Sequence, residues 1–369
     1  MRVLFASDAA GFGGAEILAA HLASALRRKG WETGWASARP DERLRAHLDG
    51  VELVEAPLRH KSRYLLRSVG AFLDRPRVAR VRAALAAWRP DVVVVNQPDP
   101  EDGVAIGAAA RGLCRSLALL HLPQRLSVLG VRRLRAARSA VARRALHRYD
   151  GVVAVSGPSA AEAEANWGVR ATACANGVPL PAPFAPGERE AARRALGLPG
   201  GARVVGALGR LDPQKGFGTL IDACAGLPEG IHVLIGGEGP ERAALEARIA
   251  ARGLRARAHL PGWIESRRLL AASDLLAMPS RFEGLPLALL EAGALGIDVV
   301  GTPVGGIPAL LEPSAVVPCG DAVALAAAIR ASLDGDGARA RRLEARVRAE
   351  HSIEAMADRF AAILHGGAP

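Results

Sequence analysis

Two carboxylates stand in the apolar segment RFEGLPLALLEAGALG, with seven uncharged residues between Glu283 and Glu291. Pro286 favours the first turn of a helix, which places Glu283 in the loop before that helix and Glu291 about one and a half turns into it. Glu283 is therefore expected at the mouth of a site and Glu291 deeper. Because carboxylates accept hydrogen bonds from hydroxyls and the Gly284 and Leu285 N–H groups suit phosphates, the pattern favours a sugar nucleotide.

Each acid also has a purely structural interpretation. Glu283 alone is compatible with an ordinary acid before a helix, and this alternative stays open. An exposed helix charge is a poorer interpretation of Glu291, because its neighbours are apolar and an unpaired buried carboxylate is costly.

Two cations flank a proline turn in the segment GRLDPQKG, residues 209 to 216, which follows a predicted strand. Arg210 offers a planar fork and Lys215 a compact point charge, and from one loop both can contact a diphosphate. Two solvated surface charges are the alternative. Lys215 favours the functional interpretation because lysine occurs only here and at Lys29 and Lys61, in a chain that otherwise uses arginine.

The segment GFGGAE, residues 11 to 16, follows the first predicted strand and opens a helix. Small residues such as Gly13 and Gly14 let backbone N–H groups at a helix start approach an anion. A glycine turn that only joins the strand to the helix is the alternative.

These segments are positioned by short apolar runs that alternate with longer helical stretches. The predicted strands are residues 3–7, 92–96, 116–122, 152–156, 203–209, 232–237, 275–280 and 298–303. Stretches such as AEILAAHLASALRRKG repeat apolar residues every three or four positions, with Gly30 as a stop. The alternation predicts an α/β fold whose parallel sheets carry helices on both faces.

The proline-rich segment GVPLPAPFAPGE, residues 177 to 188, is predicted to link two domains, which also suits 369 residues at 50% hydrophobic content. The N-terminus predicts a strand and its turn rather than a secretory signal, and no run approaches the roughly 18 apolar residues of a membrane span. Four widely spaced cysteines without metal-ligand spacing fit free thiols in a cytoplasmic protein.

The formal net charge of +11 by itself suggests nucleic acid or an anionic membrane as a partner. Nearly all basic residues are arginines in a chain that is equally rich in alanine, a combination typical of a coding bias. Aromatic residues make up 4% of the chain and do not alternate with basic ones, as stacking platforms for single-stranded nucleic acid require. No nucleic-acid partner is expected.

A series of motifs resembles the retaining family 4 glycosyltransferases, also described as glycosyl transferases group 1. These motifs are GFGGAE, LHLPQR with His121, VAVSGPSAAEA, NGVP (176–179), GRLDPQKGF (209–217), GGEGPER (236–242), PSRFEGLPLALLEAGALG (279–296) and GTPVGGIPALL (301–311). The Glu-x7-Glu element is specific to this and related retaining families. The resemblance implies the GT-B fold, in which two Rossmann-like α/β domains with parallel sheets face each other across a cleft and a C-terminal helix crosses back to the first domain.

By this resemblance, residues 1–180 with the helix 352–369 form an acceptor-binding domain, and residues 181–351 form a donor-binding domain. The implied donor contacts are Gly13, Gly14, Gly209, Arg210, Lys215, Gly237, Glu283, Gly284, Leu285, Pro286 and Glu291. Arg210 and Lys215 bind the diphosphate, Glu291 binds the ribose and Glu283 binds the transferred sugar. Gly13 and Gly14 approach the donor from the opposite domain. The implied catalytic residues are Glu283, His121, Arg210 and Lys215.

The implied reaction moves a sugar from a UDP- or GDP-type nucleotide sugar to a hydroxyl of a glycan, a lipid-linked sugar or a natural product, with the anomeric configuration retained. Arg210 and Lys215 stabilise the leaving diphosphate in place of a metal ion. The leaving phosphate itself takes the acceptor proton. No cofactor and no metal are expected.

His121 is implied to lie near the reacting centre, because members of the family carry a histidine there; a core histidine at a strand end is the alternative. The sequence departs from the family pattern at Asn96 and Gln97, where relatives often have histidines, and at Asp298, which replaces a frequent proline. The first departure bears on the acceptor side. The second is interpreted as structural.

Residues 125 to 148 are strongly basic, with leucine, valine and alanine at partly helical spacing. A helix of this kind lying on anionic lipid would suit a lipid-linked acceptor and peripheral association with the inner face of the plasma membrane. A solvated face in an arginine-rich protein is an equally open alternative.

Three other functions compete with transfer. A nucleotide-sugar epimerase of the same fold would need acid and base groups around the sugar, which the sequence does not identify. A pseudo-glycosyltransferase that joins cyclitols would keep the same diphosphate residues. An inactive binding module is disfavoured because the donor-site pattern is complete.

Overall fold

Two parallel β-sheets form the centres of the molecule, each in its own unit of the chain. The computed structural model describes residues 1–9, 12–38, 42–64 and 66–366. The N-terminal unit comprises Met1–Pro179 and Ile353–Pro369, and the C-terminal unit comprises Leu180–Ser352. The division falls within the proline-rich segment 177 to 188.

Seven strands form the sheet of the N-terminal unit. They are β1 (Arg2–Ala6), β2 (Glu32–Ser37), β3 (Glu52–Glu55), β4 (Val92–Gln97), β5 (Arg115–Leu120), β6 (Gly151–Ala154) and β7 (Ala171–Ala173). All neighbours pair in parallel, in the order β3-β2-β1-β4-β5-β6-β7. The register places Val3 opposite Val92 and Phe5 opposite Val94. All four side chains are buried, as continuous apolar strands covered on both faces require.

The helices of the N-terminal unit connect successive strands. They are α1 (Gly14–Arg28), α2 (Glu42–Arg45), α3 (Ser68–Leu73), α4 (Arg75–Ala87), α5 (Val104–Ala110), α6 (Arg135–Leu146) and α7 (Gly157–Trp167). The short 3₁₀ helix Lys61–Arg63 precedes α3. The buried face of α1 is formed by leucines and alanines, and Lys29 caps the helix before Gly30, whose φ of 87° continues the chain away from it.

Five strands form the sheet of the C-terminal unit. They are β8 (Arg203–Leu208), β9 (Ile231–Gly236), β10 (Ala258–Gly262), β11 (Leu275–Met278) and β12 (Asp298–Gly301). All neighbours pair in parallel, in the order β10-β9-β8-β11-β12. The central β8 lies between β9 and β11, as the first strand of a doubly wound sheet does.

The helices of the C-terminal unit again alternate with its strands. They are α8 (Glu188–Ala195), α9 (Phe217–Ala225), α10 (Arg242–Ala251), α11 (Ser266–Ala272), α12 (Leu287–Ala294), α13 (Ile307–Leu310), α14 (Ala322–Leu333) and α15 (Ala338–Glu350). The 3₁₀ helices Pro213–Lys215 and Pro313–Ala315 lie within loops that follow strands. One core contains Phe217 and Leu220 of α9, Val233 of β9 and Ile329 of α14.

The last helix, α16 (Ile353–Leu364), belongs to the N-terminal unit, where it packs on α1. Its buried Phe360 stacks on Phe5 of β1, with the ring centroids 6.3 Å apart. The polar edge of the contact is an ion pair between Lys29 and Asp358 at 2.6 Å. The predicted helix 352–369 begins where expected, directly after Ser352, but it is shorter than predicted because it ends at Leu364 and residues 365–366 form a turn. Residues 367–369 lie outside the described part of the chain.

The predicted architecture of parallel-sheet α/β units is confirmed, and each predicted strand is present within a few residues of its bounds. The sequence did not reveal β2, β3, β7 and β10. The strand β3 is a largely exposed edge strand of the N-terminal sheet. The strand β10, at one edge of the C-terminal sheet, carries Pro261 and a register irregularity, so neither strand shows a continuous apolar run.

The basic stretch 125 to 148 is not one helix, which corrects the prediction from its spacing. Residues up to Leu134 form turns, and only Arg135–Leu146 are helical. Leu134 itself has a positive φ of 51°, which ends any continuous helix there. Among the described residues, no helix combines the length and apolar character needed to cross a membrane.

Candidate active site

Most of the predicted donor residues lie in the loops that follow the parallel strands of the C-terminal unit. Residues 209–216 follow β8, residue 237 follows β9, residues 280–286 follow β11 and residues 302–306 follow β12. The carboxyl ends of parallel strands meet at one edge of a sheet, and ligands bind there in open α/β folds. The connectivity alone therefore gathers these loops.

Glu283 is held in a buried ion pair. Only 5% of the residue is exposed, and its Oε1 lies 2.7 Å from Nζ of Lys215. The hydroxyl of Ser280 donates to the same oxygen at 2.8 Å. Gln214 braces the loop by donating from Nε2 to the carbonyl of Phe282 at 3.0 Å. The ammonium of Lys215 is thus held by a carboxylate that is itself fixed.

Arg210, in contrast, is largely exposed, with 73% of its side chain accessible to solvent. Its Nε donates to Oδ2 of Asp212 at 2.6 Å. Asp212 is buried and also accepts from the backbone N–H of Gln214, which caps the 3₁₀ helix carrying Lys215. Arg210 and Lys215 are therefore anchored by different carboxylates, and the exposed guanidinium is accessible to an anion.

Glu291 lies one turn into α12 and is half-buried. Its Oε2 accepts a short hydrogen bond from the hydroxyl of Ser266 at the start of α11. Burial raises the pKa of Glu291, and the Ser266 hydrogen bond opposes that rise. The expectation that Glu283 is the more exposed of the two acids is wrong, because Gly305 in the loop after β12 packs against the Glu283 backbone and the side chain is buried.

Backbone contacts between two loops define the start of α12. The N–H of Gly306 donates to the carbonyl of Gly284 at 2.6 Å. A Cβ added at Gly305 would lie 2.3 Å from the carbonyl oxygens of both Glu283 and Gly284. Leu285 and Pro286 are buried, and Pro286 is the N-cap of α12. The predicted loop before the helix is confirmed and is fixed from outside by 302–306.

Gly209 and Gly237 allow a second close backbone approach. A Cβ at Gly237 would lie 1.9 Å from the carbonyl oxygen of Gly209. The side chain of Lys215 passes close to Gly209, and a Cβ at Gly209 would lie 2.9 Å from Cε of Lys215. Loop packing alone thus accounts for glycine at both positions, and their contact with a ligand stays a prediction.

The remaining predicted residues belong to the N-terminal unit. His121 directly follows β5, is 8% exposed, and has its Nε2 2.7 Å from Oδ1 of Asn96. Burial lowers the pKa of His121 to about 3, so the ring is neutral at physiological pH. Gly13 is the N-cap of α1 and Gly14 its first residue, while Gly11 of the same motif lies outside the described residues.

The structure joins Lys215 directly to Glu283, and it adds partners that the sequence analysis missed. Ser280 stands three residues before Glu283, a spacing that carries no signal of its own. Ser266 lies 25 positions from Glu291 and reaches it only because α11 and α12 are neighbours. In the parts of the chain that the structure describes, no group of three or more His, Cys, Asp or Glu side chains is arranged to hold a metal ion.

Two protein-family models match the chain in adjoining ranges. The model described as "Glycosyl transferases group 1" matches residues 188–363, and the model "Glycosyltransferase Family 4" matches residues 12–180. Together the two matches span nearly the whole chain. The chain belongs to the group 1 and family 4 glycosyltransferases. The first match contains the Arg210, Lys215, Glu283 and Glu291 positions.

Curated relatives of this glycosyltransferase chain include D-inositol 3-phosphate glycosyltransferases of Mycobacterium tuberculosis (strain ATCC 25618 / H37Rv) and Mycobacterium bovis. Each is 40% identical over 134 residues, which cover 34% of this chain. The aligned part spans only 28% of each relative's length.

Solved structures share the fold of this glycosyltransferase chain over its full length. The Anabaena protein HepE, solved in complex with UDP and glucose, superposes with a TM-score of 0.83 at 22% identity and covers 99% of this chain and 100% of its own. Sucrose-phosphate synthase from Thermosynechococcus elongatus gives a TM-score of 0.79 at 23% identity, covering 99% and 98%. The predicted GT-B fold class is thereby confirmed.

Proposed function

We propose that the protein is a retaining glycosyltransferase that moves a sugar from a nucleotide diphosphate sugar to a hydroxyl of a glycan, glycolipid or small-molecule acceptor. The observation that carries the proposal is the pairing of Lys215 with buried Glu283 beside the exposed Arg210, at the carboxyl edge of the C-terminal sheet. In this proposal the C-terminal unit binds the donor, and the N-terminal unit with α16 binds the acceptor.

Charge on the leaving diphosphate is stabilised by the two cations without a metal ion. Lys215 is preorganised, because Glu283 and the cap on its 3₁₀ helix fix its position before a ligand arrives. Arg210 supplies a planar guanidinium that can form two parallel hydrogen bonds to phosphate oxygens. The leaving phosphate takes the acceptor proton, so transfer proceeds on one face of the sugar and retains its configuration.

The two acids have separate tasks in the same proposal. Glu291 accepts the ribose hydroxyls, since Ser266 occupies one of its oxygens and a carboxylate has further acceptor positions. Glu283 accepts hydroxyls of the transferred sugar while it holds Lys215. A donor of the UDP or GDP type fits these contacts, and HepE, a structural neighbour, was solved with UDP-glucose.

A transfer assay with product analysis tests the proposal. The protein is incubated with UDP- and GDP-sugars and a panel of hydroxyl acceptors, and the new glycosidic bond is analysed by NMR. We expect turnover of one nucleotide class, in the presence of EDTA, with the donor's anomeric configuration in the product. A product of inverted configuration, or epimerised donor without transfer, would contradict it.

We also propose that the N-terminal unit associates reversibly with an anionic membrane at the cytoplasmic face. Support comes from exposed apolar side chains among arginines: Val128 and Leu134 are both 52% exposed, and Leu73 of α3, which packs on α6, is 63% exposed. Arg132 and Arg133 are exposed next to Leu134. Apolar insertion and charge attraction together are what peripheral anchoring requires.

Liposome sedimentation tests this surface. We expect the protein to pellet with anionic vesicles at low salt and to be released at high salt, because each arginine near the surface contributes about 1 kcal/mol. Leu134→Glu should reduce the pelleted fraction severalfold. Val323→Glu, at a position 81% exposed in the C-terminal unit, is the matched control and should bind like wild type. Equal loss in both variants would contradict the assignment.

A further inference from the structure

We infer that Asn96 and Glu16 are positioning residues that fix the tautomer of His121, with its ring proton on Nε2 and a lone pair on Nδ1. The inference rests on the proposed function only for its effect on catalysis. It assigns a role to Asn96, a residue that the proposed function does not use.

Three side chains from three neighbouring elements form one hydrogen-bonded chain. Glu16 lies on the first turn of α1, Asn96 lies in β4, and His121 follows β5. Nδ2 of Asn96 is 3.3 Å from Oε1 of Glu16, and Oδ1 of Asn96 is 2.7 Å from Nε2 of His121. Glu16, Asn96 and His121 are 6%, 0% and 8% exposed, so water does not compete for these bonds.

The charge of Glu16 determines which group donates at each hydrogen bond of this series. An ionised Glu16 only accepts, so Asn96 must turn its NH₂ group towards it. The amide oxygen of Asn96 then faces His121, and a ring nitrogen facing an oxygen must carry a proton. His121 is neutral because burial lowers its pKa to about 3. The single ring proton is therefore on Nε2, and Nδ1 is an acceptor.

Backbone groups fix both ends of the hydrogen-bonded series formed by Glu16, Asn96 and His121. The sheet register places Asn96 opposite Leu119, and the N–H of His121 donates to the carbonyl of Gln97 at 3.0 Å. At the other end, Glu16 lies in the first turn of α1, where the nearby backbone N–H groups of Gly13 and Glu16 lower the pKa of its carboxylate and oppose the effect of burial. The glycine turn and His121 are thus connected through one buried amide.

The protonation state of Glu16 determines whether the donors and acceptors of this hydrogen-bonded series keep one order. Burial, with repulsion from Asp102 and Asp8, raises the pKa of Glu16 to about 7. Below that pH Glu16 gains a proton and can donate as well as accept, so it no longer holds Asn96 in one orientation, and the ring proton of His121 is no longer confined to Nε2. Above it the arrangement described here holds.

The other charged and titratable groups around α1 have partners away from Glu16. On α16, Glu354 and Asp358 pair with Arg28 and Lys29 at the opposite end of α1. The ring of His21 on α1 is bonded to His47, beyond α2, at 2.8 Å. Asp8 after β1 and Asp102 after β4 are therefore the charges that bear on Glu16 from the sheet.

Nitrogen-15 NMR of the histidine side chains tests the inference on the ligand-free protein, so the outcome does not depend on transferase activity. The His121 signals are assigned by their loss in His121→Gln. We expect the Nε2–H tautomer at pH 8, no protonation of the ring down to pH 5, and a weaker preference for the Nε2–H tautomer as the pH falls below about 7.

Two variants and one control complete the test. Asn96→Leu should remove the tautomer preference, and Glu16→Gln should give a mixture at pH 8, because a glutamine amide can donate or accept. Asn166→Leu, a matched change in α7, should leave His121 unchanged. With an active donor and acceptor pair, Asn96→Leu should lower kcat about tenfold or more with little change in KM. A wild-type Nδ1–H tautomer at pH 8, or a spectrum unaltered by both variants, would overturn the inference; Glu16→Gln decides it if Asn96→Leu does not fold.

Discussion

Replacing Lys215 with alanine should both destabilise the C-terminal unit and remove its response to nucleotide sugars. The change leaves Glu283 buried without its counter-ion, and breaking a buried pair in this way costs roughly 3 kcal/mol or more of the free energy of unfolding. It also removes the fixed cation proposed to face the diphosphate. Urea denaturation measures the first effect, and calorimetric titration with nucleotide sugars measures the second.

Arg210→Ala is the matched control for Lys215→Ala. The Arg210 guanidinium is largely exposed, and buried Asp212 keeps its hydrogen bond from the N–H of Gln214, so the free energy of unfolding should fall less than in Lys215→Ala. Donor affinity should nevertheless fall strongly. The assigned site would be contradicted if Lys215→Ala had the free energy of unfolding and the donor affinity of the wild type.

The double variant Lys215→Met with Glu283→Gln separates folding from binding. Removing both charges leaves no unpaired ion, so much of the lost free energy of unfolding should return. The response to nucleotide sugars should stay absent. Recovery of both properties together would mean that Lys215 acts on the donor only through the stability of its loop.

Replacing Glu291 with alanine should weaken nucleotide-sugar affinity by roughly 10- to 100-fold, the range for losing hydrogen bonds to a charged group. The contact should also depend on pH. Burial raises the pKa of Glu291, so as the pH falls through that raised value the carboxylate gains a proton and loses acceptor capacity. Affinity measured by calorimetry should therefore decrease towards acidic pH in the wild type, and this decrease should be absent in Glu291→Ala.

Ser266→Ala distinguishes positioning from direct contact. It removes the hydrogen bond that holds Glu291 without removing the carboxylate, so affinity should fall less than in Glu291→Ala. The pKa of Glu291 should rise further, because this hydrogen bond lowers it, and the acidic loss of affinity should begin at a higher pH. If Glu291→Ala bound nucleotide sugars with wild-type affinity across the pH range, the assignment of Glu291 to the donor ribose would be contradicted.

The sequence contained most of the fold because the apolar runs of parallel strands are continuous and their helices are periodic. Edge strands were missed for a physical reason, since β3 is largely exposed and β10 is interrupted by proline. The loop before α12 was predictable from Pro286, which fixes the local backbone.

Side-chain partners were less predictable than elements. Glu283 is covered by the loop after β12, whose glycines pack against its backbone, and this contact depends on strand order rather than on local sequence. Glu16 and Asn96 are 80 positions apart and meet only because β4 lies next to β1 in the sheet. Pairings of this kind require the assembled sheet.

A thermal-shift panel of UDP-, GDP-, ADP- and dTDP-sugars with the free nucleotides, in EDTA, on wild type and Arg210→Ala examines the donor site itself, because a ligand that binds only the folded protein raises its Tm. We predict stabilisation of the wild type by one nucleotide class and loss of that stabilisation in Arg210→Ala, with each Tm shift measured against the unliganded Tm of the same protein. Equal stabilisation of both proteins, or none of either by any nucleotide sugar, would contradict a diphosphate site at Arg210 and Lys215.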